Sequence, residues 1–246
     1  MYRYCFNVVN NKSAMVMPKH NVGLTLSYSF LELPYSKDYR KDTVQAEMKV
    51  SACTFLFLMG GKKTEHKGTQ LIETPRLILR KAQMTDTEPM FRNWASDPEV
   101  TKFLTLPTFQ SIDSAYTILD IWIKEYEKPD FYQWMIELKE VGEPIGSISV
   151  VHHRDDIAAA EIGYCIGQSW WHKGIMTEAL TAVMQFLFTE VGVNRIEAKH
   201  DINNPHSGGV MKKCGMQYEG TSRASDRNNQ GICDIAQYAI LREEWE

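Results

Sequence analysis

The chain has 246 residues, of which 43% are hydrophobic and 24% charged, and its formal net charge is −4. These values are typical of a folded globular protein and exclude collagen, coiled coils and wholesale disorder. The small net charge gives no general reason to expect nucleic-acid or anionic-membrane binding. Residues 1–70 carry a net charge of +5 and residues 71–246 a net charge of −9, which predicts an N-terminal extension and a separate folded domain.

Residues 1–70 show little periodicity and end in a polar stretch typical of a linker. Their longest apolar run, residues 50–59, is far shorter than the about 20 residues that a membrane span needs. Nothing in the first 30 residues resembles a secretory signal. Three alternatives stay open for the extension: disorder, a gene-model extension absent from the mature protein, and an arm that docks on RNA.

The cysteines indicate a reducing compartment. They are odd in number, widely spaced and never paired as C-x-x-C, which fits neither a disulfide framework nor a zinc knuckle. They are Cys5, Cys53, Cys165, Cys214 and Cys233. We therefore expect free thiols and a cytoplasmic protein.

From Leu71 onward the sequence becomes regular. A β-type run predicts a strand over 76–80, and Thr85-x-x-Glu88 is interpreted as a capping box that opens a helix through Trp94. Apolar spacing after Ser111 predicts a second, amphipathic helix. Three strands are then predicted, over 133–139, 145–152 and 158–166.

The second half alternates helices and strands. A 3.6-residue period predicts a helix over 176–187, which Gly192 ends, and a strand follows over 195–201. Asn204 and Pro205 then open a helix that stops before Gly215. Two final strands are predicted over 216–223 and 233–241. The order β-α-α-β-β-β-α-β-α-β-β predicts an α+β fold with a mixed sheet and helices on both faces.

The segment Trp171–Glu178 lies between a strand and a long helix. Free N–H groups at a helix N-terminus, with a glycine that permits close approach, are suited to binding phosphates. An ordinary strand-to-helix turn is an equally good interpretation. The segment matches neither a Walker loop nor a G-x-G-x-x-G fingerprint.

Several motifs in order resemble one family. They are Thr74-x-Arg76-Leu77-x-Leu79-Arg80, Ala160-Glu161-Ile162-Gly163-Tyr164, Trp171-x-x-Gly174-x-Met176-Thr177-Glu178-Ala179, Asn204-x-x-Ser207, Gly215-Met216, and Tyr238-x-x-Leu241-Arg242-Glu243-Glu244-Trp245. Together they resemble the GNAT superfamily of N-acetyltransferases, and more narrowly its ribosomal-protein alanine N-acetyltransferase (RimJ/RimL-like) branch. The resemblance covers residues 71–246 and implies an acyl-CoA N-acyltransferase fold, with a mostly antiparallel, partly parallel sheet.

The resemblance also implies an acetyl-CoA site. Backbone amides of one loop would hold the pyrophosphate: Trp171, His172, Lys173, Gly174, Ile175, Met176 and Thr177. Trp171 replaces the family's Gln or Arg, and Met176 replaces a small residue. The pantetheine arm would pair with the strand residues Tyr164, Cys165 and Ile166, and Asn204 and Ser207 would also contact the cofactor.

Acetyl transfer requires a base for the amine and help for the leaving thiolate. By the same resemblance Glu161 is the candidate base, and Ser207 the candidate acid or hydrogen-bond donor to the thiolate. An oxyanion donor would come from the backbone near Ile166. The alternatives are a solvated strand glutamate for Glu161 and a first-turn cap for Ser207.

Other side chains are weaker candidates. His152 and His153 are adjacent on a strand and point to opposite faces, so they cannot together bind one metal ion. Cys165 could accept the acetyl group first, although a buried apolar role is the simpler interpretation. His172 and Lys173 contact a phosphate of CoA or are simply solvated.

Candidates for an acceptor pocket are mostly aromatic, and core packing is their alternative role. They are Phe103, Phe131, Tyr132 and Trp134, with Asp226 and Arg227 of the last hairpin at the border.

We therefore expect a cytoplasmic N-acetyltransferase that moves an acetyl group from acetyl-CoA to a primary amine by direct transfer in a ternary complex. The acceptor is a protein N-terminus or a small-molecule amine. No metal, membrane or direct nucleic-acid partner is expected, and a homodimer fits the family. The alternative is a non-catalytic module that binds or senses acetyl-CoA or CoA with the same fold.

Overall fold

The computed structural model describes residues 64–245, so the predictions for residues 1–63 lie outside the described residues. Eight strands form one sheet in the order β1-β2-β3-β4-β5-β6-β8-β7. The strands are β1 (Ile72–Glu73), β2 (Leu77–Arg80), β3 (Gln133–Leu138), β4 (Glu143–Arg154), β5 (Ala159–Ile166), β6 (Arg195–Asp201), β7 (Gln217–Asn228) and β8 (Gly231–Leu241). The β5–β6 pair is parallel and the other neighbours are antiparallel.

Five helices connect these strands. They are α1 (Thr87–Met90), α2 (Pro98–Thr101), α3 (Ile112–Glu125), α4 (Ile175–Phe186) and α5 (Pro205–Lys213). Short π-helical turns, Phe91–Ala95 and Leu187–Val191, prolong α1 and α4. Among residues 64–245 no helix is both long and apolar enough to cross a membrane. The predicted α+β fold with a mixed sheet is confirmed.

Each face of the sheet packs against its own helices. On one face, β-strand side chains such as Ile162 and Ile196 pack against Leu180 of α4 and Met211 of α5. On the other face, Met135 packs with residues of α1 and α3. We call these the α4–α5 face and the α1–α3 face. Burial of each large apolar side chain contributes about 1.5–3 kcal/mol, so both cores stabilise the sheet.

The start of α1 differs from the prediction, because Thr85 and Glu88 do not form the capping box. Asp86 serves instead: its Oδ2 accepts a hydrogen bond from Gln83 N at 2.8 Å. Both Asp86 oxygens also accept 2.8 Å bonds from Arg80 at the end of β2. A carboxylate that is held by a guanidinium group is a stronger hydrogen-bond acceptor for the helix start than the Thr85 hydroxyl, so the helix begins around Asp86.

The last hairpin is longer than predicted, since β7 and β8 extend to a two-residue turn at Asn229-Gln230. Two register shifts lie in β7, and Ala224, within the second, has φ +47°. Ala224 N donates to Asp234 Oδ1 at 2.7 Å, which stabilises this irregular backbone. The irregular backbone therefore lets β7 continue through polar residues beyond the point where alternation of apolar and polar residues predicts its end.

Residues 64–70 contact the sheet although they precede the predicted boundary at residue 70. Thr69 Oγ1 accepts a hydrogen bond from Gln133 N at 2.9 Å, and Gln70 O accepts one from Trp134 Nε1 at 2.6 Å. Glu65 N donates to Val191 O at 2.9 Å. This short segment is therefore held along β3 and the end of α4.

Candidate active site

Strands β5 and β6 separate in the middle of the sheet. Their parallel pairing comprises Ala159 with Arg195, Ala160 with Ile196 and Glu161 with Glu197. Beyond this point β5 continues to Ile166 and β6 to Asp201 without pairing to each other. One edge of β5 therefore opens into a gap inside the sheet.

Alternate residues of β5 direct their main-chain groups into this gap. Gly167 N donates to Ile145 O of β4 at 2.9 Å, so Gly167 and every second residue before it face β4. Tyr164 and Ile166 consequently direct their N–H and C=O groups away from β4. The C=O of Ile166 already accepts a hydrogen bond from Trp171 Nε1, so the Tyr164 groups and the Ile166 N–H remain for an extended ligand arm. Cys165 pairs with Ser147 of β4, which argues against its predicted main-chain contact with the cofactor.

The loop before α4 curves tightly and leaves amides free. His172 has φ +61° and Gly174 has φ +72°, both in the left-handed region. The first intrahelical bond runs from Glu178 N to Gly174 O at 3.1 Å, so the amides of Ile175, Met176 and Thr177 have no intrahelical partner. Positive dipole and free N–H groups make this terminus suited to a phosphate group.

The side chains of this loop divide into two sets. Ile175 and Met176 are buried in the core, so the bulk of Met176 does not obstruct the amides. His172 and Lys173 are exposed. Trp171 donates its indole N–H to Ile166 O at 2.8 Å, which ties the loop to the end of β5.

Glu178 in the first turn of α4 anchors the loop to the β1–β2 turn. Its Oε2 accepts a 2.6 Å hydrogen bond from Arg76 Nε, and its Oε1 accepts one of 2.6 Å from Thr74 Oγ1. Arg76 Nη1 donates to Lys173 O at 3.0 Å. Burial acts to raise the pKa of Glu178, but hydrogen bonds from Thr74 and Arg76 outweigh it and hold that pKa below its ordinary value.

Ser207 lies beside Tyr164 at the open edge. Ser207 Oγ donates to Tyr164 Oη at 3.1 Å, and Tyr164 Oη donates to Ser207 O at 2.9 Å. Burial raises the pKa of Tyr164 above its ordinary value of 10.0, so the phenol stays protonated. Tyr164 thus fixes the first turn of α5, a role that the sequence did not indicate.

Asn204 precedes α5 as predicted, but its side chain does not cap the helix. The side-chain amide therefore remains available for another partner, and its contact with the cofactor stays a prediction. In the first turn of α5, His206 packs edge-to-face on His172, with ring centroids 4.7 Å apart. That contact joins the α5 entrance to the loop before α4.

Glu161 belongs to a line of charges on the α1–α3 face. Its Oε1 lies 3.3 Å from Lys199 Nζ, and the same ammonium lies 3.1 Å from Asp226 Oδ2. Burial acts to lower the pKa of Lys199, but the two carboxylates outweigh it and raise that pKa. Lys199 stays charged between Glu161 and Asp226, and sequence reasoning missed it because a lone strand lysine carries no motif.

The two predicted catalytic side chains lie on opposite faces of the sheet. Glu161 is three positions from Tyr164 along β5, so their side chains point to opposite sides. Ser207 contacts Tyr164 on the α4–α5 face, whereas Glu161 contacts Lys199 on the other. The structure does not bring Glu161 and Ser207 into contact; the gap between β5 and β6 lies between them.

Of the four aromatic residues predicted to line an acceptor pocket, two belong to the core and two do not. Tyr132 and Trp134 are 2% and 0% exposed, so they belong to the core. Phe131 packs edge-to-face on Tyr126, and Phe103 lies in the loop after α2. Asn229 Nδ2 of the last hairpin donates to Thr101 O and Leu106 O, both at 2.9 Å, which joins the hairpin to that loop.

The cysteine, the two adjacent histidines and the hairpin arginine are the last of the predicted candidates. Burial raises the pKa of the Cys165 thiol, which disfavours the reactive thiolate. His152 pairs opposite Glu161 and His153 opposite Ala160, consistent with their predicted opposite faces. Arg227 lines an open depression at the last hairpin together with Thr105.

Comparison with known proteins agrees with this geometry. The family model "Acetyltransferase (GNAT) domain" matches residues 76–217, more than half of the chain. The uncharacterized N-acetyltransferase YoaA of Bacillus subtilis is 31% identical over 172 residues, 70% of this chain and 97% of that protein. The ribosomal protein uS5-alanine N-acetyltransferase of Escherichia coli is 36% identical over 70 residues, 28% of this chain and 36% of that protein.

A solved structure extends the likeness to three dimensions. The GNAT-family acetyltransferase from Bacillus anthracis superposes with a TM-score of 0.62 at 25% identity, covering 71% of this chain and 99% of that one. Motifs, sheet gap and family model therefore agree: the chain belongs to the GNAT family of N-acetyltransferases, which transfer an acetyl group from acetyl-CoA to an amine.

Proposed function

We propose that the chain acetylates the N-terminal amine of a protein in the cytoplasm, by direct transfer within a ternary complex. The observation that carries the proposal is the gap between β5 and β6. The main-chain groups of Tyr164 and Ile166 line it, and the free amides of the α4 N-terminus lie at its end. Acetyl-CoA fits this arrangement with its pantetheine along β5 and its pyrophosphate on the loop amides.

Each face of the sheet has one task in this proposal. On the α4–α5 face, Ser207 turns its hydroxyl proton from Tyr164 Oη to the thiolate leaving group, while Tyr164 keeps its bond to Ser207 O. On the α1–α3 face, Glu161 accepts the proton of the acceptor ammonium while Lys199 holds its carboxylate in place. Direct transfer is favoured over an acetylated cysteine because the Cys165 thiol is buried and its pKa is raised.

The acceptor is inferred from kinship and charge. The Escherichia coli relative is named for the alanine of a ribosomal protein, and similarity to it spans only 70 residues. The net charge of −9 over residues 71–246 favours a cationic acceptor. A peptide N-terminus combines a primary amine with an extended backbone that can follow a strand edge.

Mass spectrometry tests the acceptor directly. The protein and acetyl-CoA are incubated with N-terminal peptides, polyamines, aminoglycosides and amino acids, and the molecular mass of each product is measured. We expect one acetyl group on a peptide that begins with a small residue. Acetylation of a polyamine or aminoglycoside alone would replace the proposed acceptor and leave the reaction class intact.

Two substitutions test the roles, with Glu219→Gln on β7 as a control for the loss of an exposed glutamate. Glu161→Gln is expected to lower kcat by about 10²–10⁴-fold, the usual contribution of a general base. Ser207→Ala is expected to lower it by about two- to tenfold, one hydrogen bond. Neither should weaken acetyl-CoA binding.

The alternative is a module that binds acetyl-CoA without turnover. In that case acetyl-CoA raises the melting temperature, yet no panel member gains mass. Unchanged rates in both variants would instead show that the base and the donor are other residues.

A further inference from the structure

Two histidines and an aspartate meet away from the active site, at the turn between β4 and β5. His66 Nε2 lies 3.1 Å from Asp155 Oδ1, and His153 Nδ1 lies 3.2 Å from the same oxygen. One ligand atom from each of the three side chains lies within 4.8 Å of the others. The two imidazole rings meet edge-to-face, with centroids 4.8 Å apart.

We propose that His66, His153 and Asp155 bind a divalent first-row transition metal ion, with Zn²⁺ the best match. Zn²⁺ binds imidazole nitrogen and carboxylate oxygen at about 2.0–2.2 Å, so two ligands at a tetrahedral angle lie about 3.3 Å apart. The two nitrogen-to-oxygen distances of 3.1 and 3.2 Å are already close to that value. The two nitrogens lie within 4.8 Å of each other, so rotation of the rings toward each other completes the site.

The second nitrogen of each imidazole faces an oxygen, at hydrogen-bond distance for His66 and beyond it for His153. A ligating histidine usually directs its second nitrogen at a carboxylate or another oxygen, which fixes the ring. His66 Nδ1 lies 3.0 Å from Tyr132 Oη, and that buried phenol is itself held by Lys67 N at 3.1 Å. His153 Nε2 lies 3.6 Å from Asp130 Oδ2.

The site is also open to solvent on one side. The side chains of His66, His153 and Asp155 are 17%, 32% and 51% exposed. An ion can therefore enter without unfolding, and water can complete a four-coordinate shell. Two imidazoles with one carboxylate favour ions such as Zn²⁺, Co²⁺ and Ni²⁺ over Mg²⁺ or Ca²⁺, which prefer oxygen ligands.

Metal binding here fastens the chain before β1 to the β4–β5 turn. His66 and Asp155 are 89 positions apart, and the ion would cross-link them. Since the three ligands assemble only in the folded protein, binding stabilises the fold. The sequence gives no signal for this site, because its histidines follow no metal-binding spacing.

Cobalt spectroscopy tests the proposal on the full chain. Co²⁺ is titrated into the protein and its visible d–d absorption recorded; we expect saturation at one equivalent and displacement by Zn²⁺. His153→Gln should weaken this binding at least tenfold, and Asp130→Asn about 10–100-fold. The matched control His152→Gln, one position away on the opposite face, should bind as the wild type does.

Two further readouts make the outcome decisive. Zn²⁺ should raise the melting temperature of the wild type and of His152→Gln but not of His153→Gln. A near-ultraviolet thiolate absorption band would show that Co²⁺ is bound by a cysteine and would contradict the proposed site. If His153→Gln does not fold, Asp155→Asn at the exposed turn takes its place. Undiminished binding in these variants, or no saturable binding by the wild type, overturns the proposal and leaves a hydrogen-bonded cluster.

Discussion

Glu178→Gln tests whether the first turn of α4 depends on its anchor to the β1–β2 turn. The amide keeps the shape of the carboxylate but removes its charge and replaces one acceptor oxygen with a donor. Both oxygens now accept hydrogen bonds, from Thr74 Oγ1 and Arg76 N on one side and from Arg76 Nε on the other. The variant therefore loses at least one hydrogen bond, and its new amide N–H group faces another hydrogen-bond donor, of Thr74 or of Arg76.

The magnitude follows from these contacts and their exposure. Hydrogen bonds to a charged group contribute about 1.5–3 kcal/mol each, but the Arg76 side chain is 46% exposed, so solvent screens much of the pair. We expect a net loss of about 1–3 kcal/mol in the free energy of unfolding. For a domain of this size that lowers the melting temperature by about 2–12 °C.

The effect carries a pH signature. The pKa of Glu178 is lowered in the folded protein from an ordinary value of 4.5. The unfolded chain therefore binds more protons between the two values, and stability rises with pH across that window. The contribution of Glu178 is complete above pH 4.5 and is lost as the pH falls through the folded-state value.

Thermal unfolding followed by circular dichroism measures both effects, with Glu88→Gln as control. Glu88 also faces an arginine, Arg92, but at 3.7 Å and with 62% exposure, so its loss should change stability by less than about 0.5 kcal/mol. The anchored loop should also bind acetyl-CoA about fivefold more tightly than the loosened one, a difference of about 1 kcal/mol visible in KM. Equal melting temperatures for the two variants, or a difference independent of pH, would refute the reasoning.

Three further substitutions have outcomes set by local geometry. Gly208→Ala should destabilise by about 1–3 kcal/mol, because a Cβ there would lie 2.4 Å from the buried Nε2 atom of His200. At the neighbouring Gly209 a Cβ meets nothing within 4 Å, so Gly209→Ala should stabilise α5 by about 0.5–1 kcal/mol. Chemical denaturation of the pair would show the opposite signs, and equal effects would contradict them. Cys165→Ala should leave the acetyl-transfer rate close to that of the wild type, and loss of transfer in a folded variant would favour an acetylated cysteine.

Much of the fold follows from periodicity and capping. The helix before Gly192 and the strand over 195–201 end where the pattern predicts, because buried faces and left-handed glycines are local signals. The one-turn helix α2 was missed, although Asp97 caps it by accepting from Glu99 N at 2.9 Å. A single turn has no apolar period to recognise.

The sequence motifs predict a position for the cofactor site, which stays a prediction, but they do not predict the side-chain partners found there. Motif order predicts which strand and which helix terminus face the cofactor. It does not predict that Ser207 is engaged by Tyr164, or that Glu161 shares Lys199 with Asp226. Those partners lie far apart in sequence, and only the sheet order brings them together.

The two separate cores of the sheet have an evolutionary consequence. Residues that pack α1 and α3 form one cluster, and residues that pack α4 and α5 form another, with the strands between them. Under the proposed division of tasks between the two faces, substitutions that reshape the first cluster change which amine is accepted, while the second cluster keeps its contact with a common acetyl donor. Such a division lets one scaffold diversify by replacing the side chains on one face of its sheet.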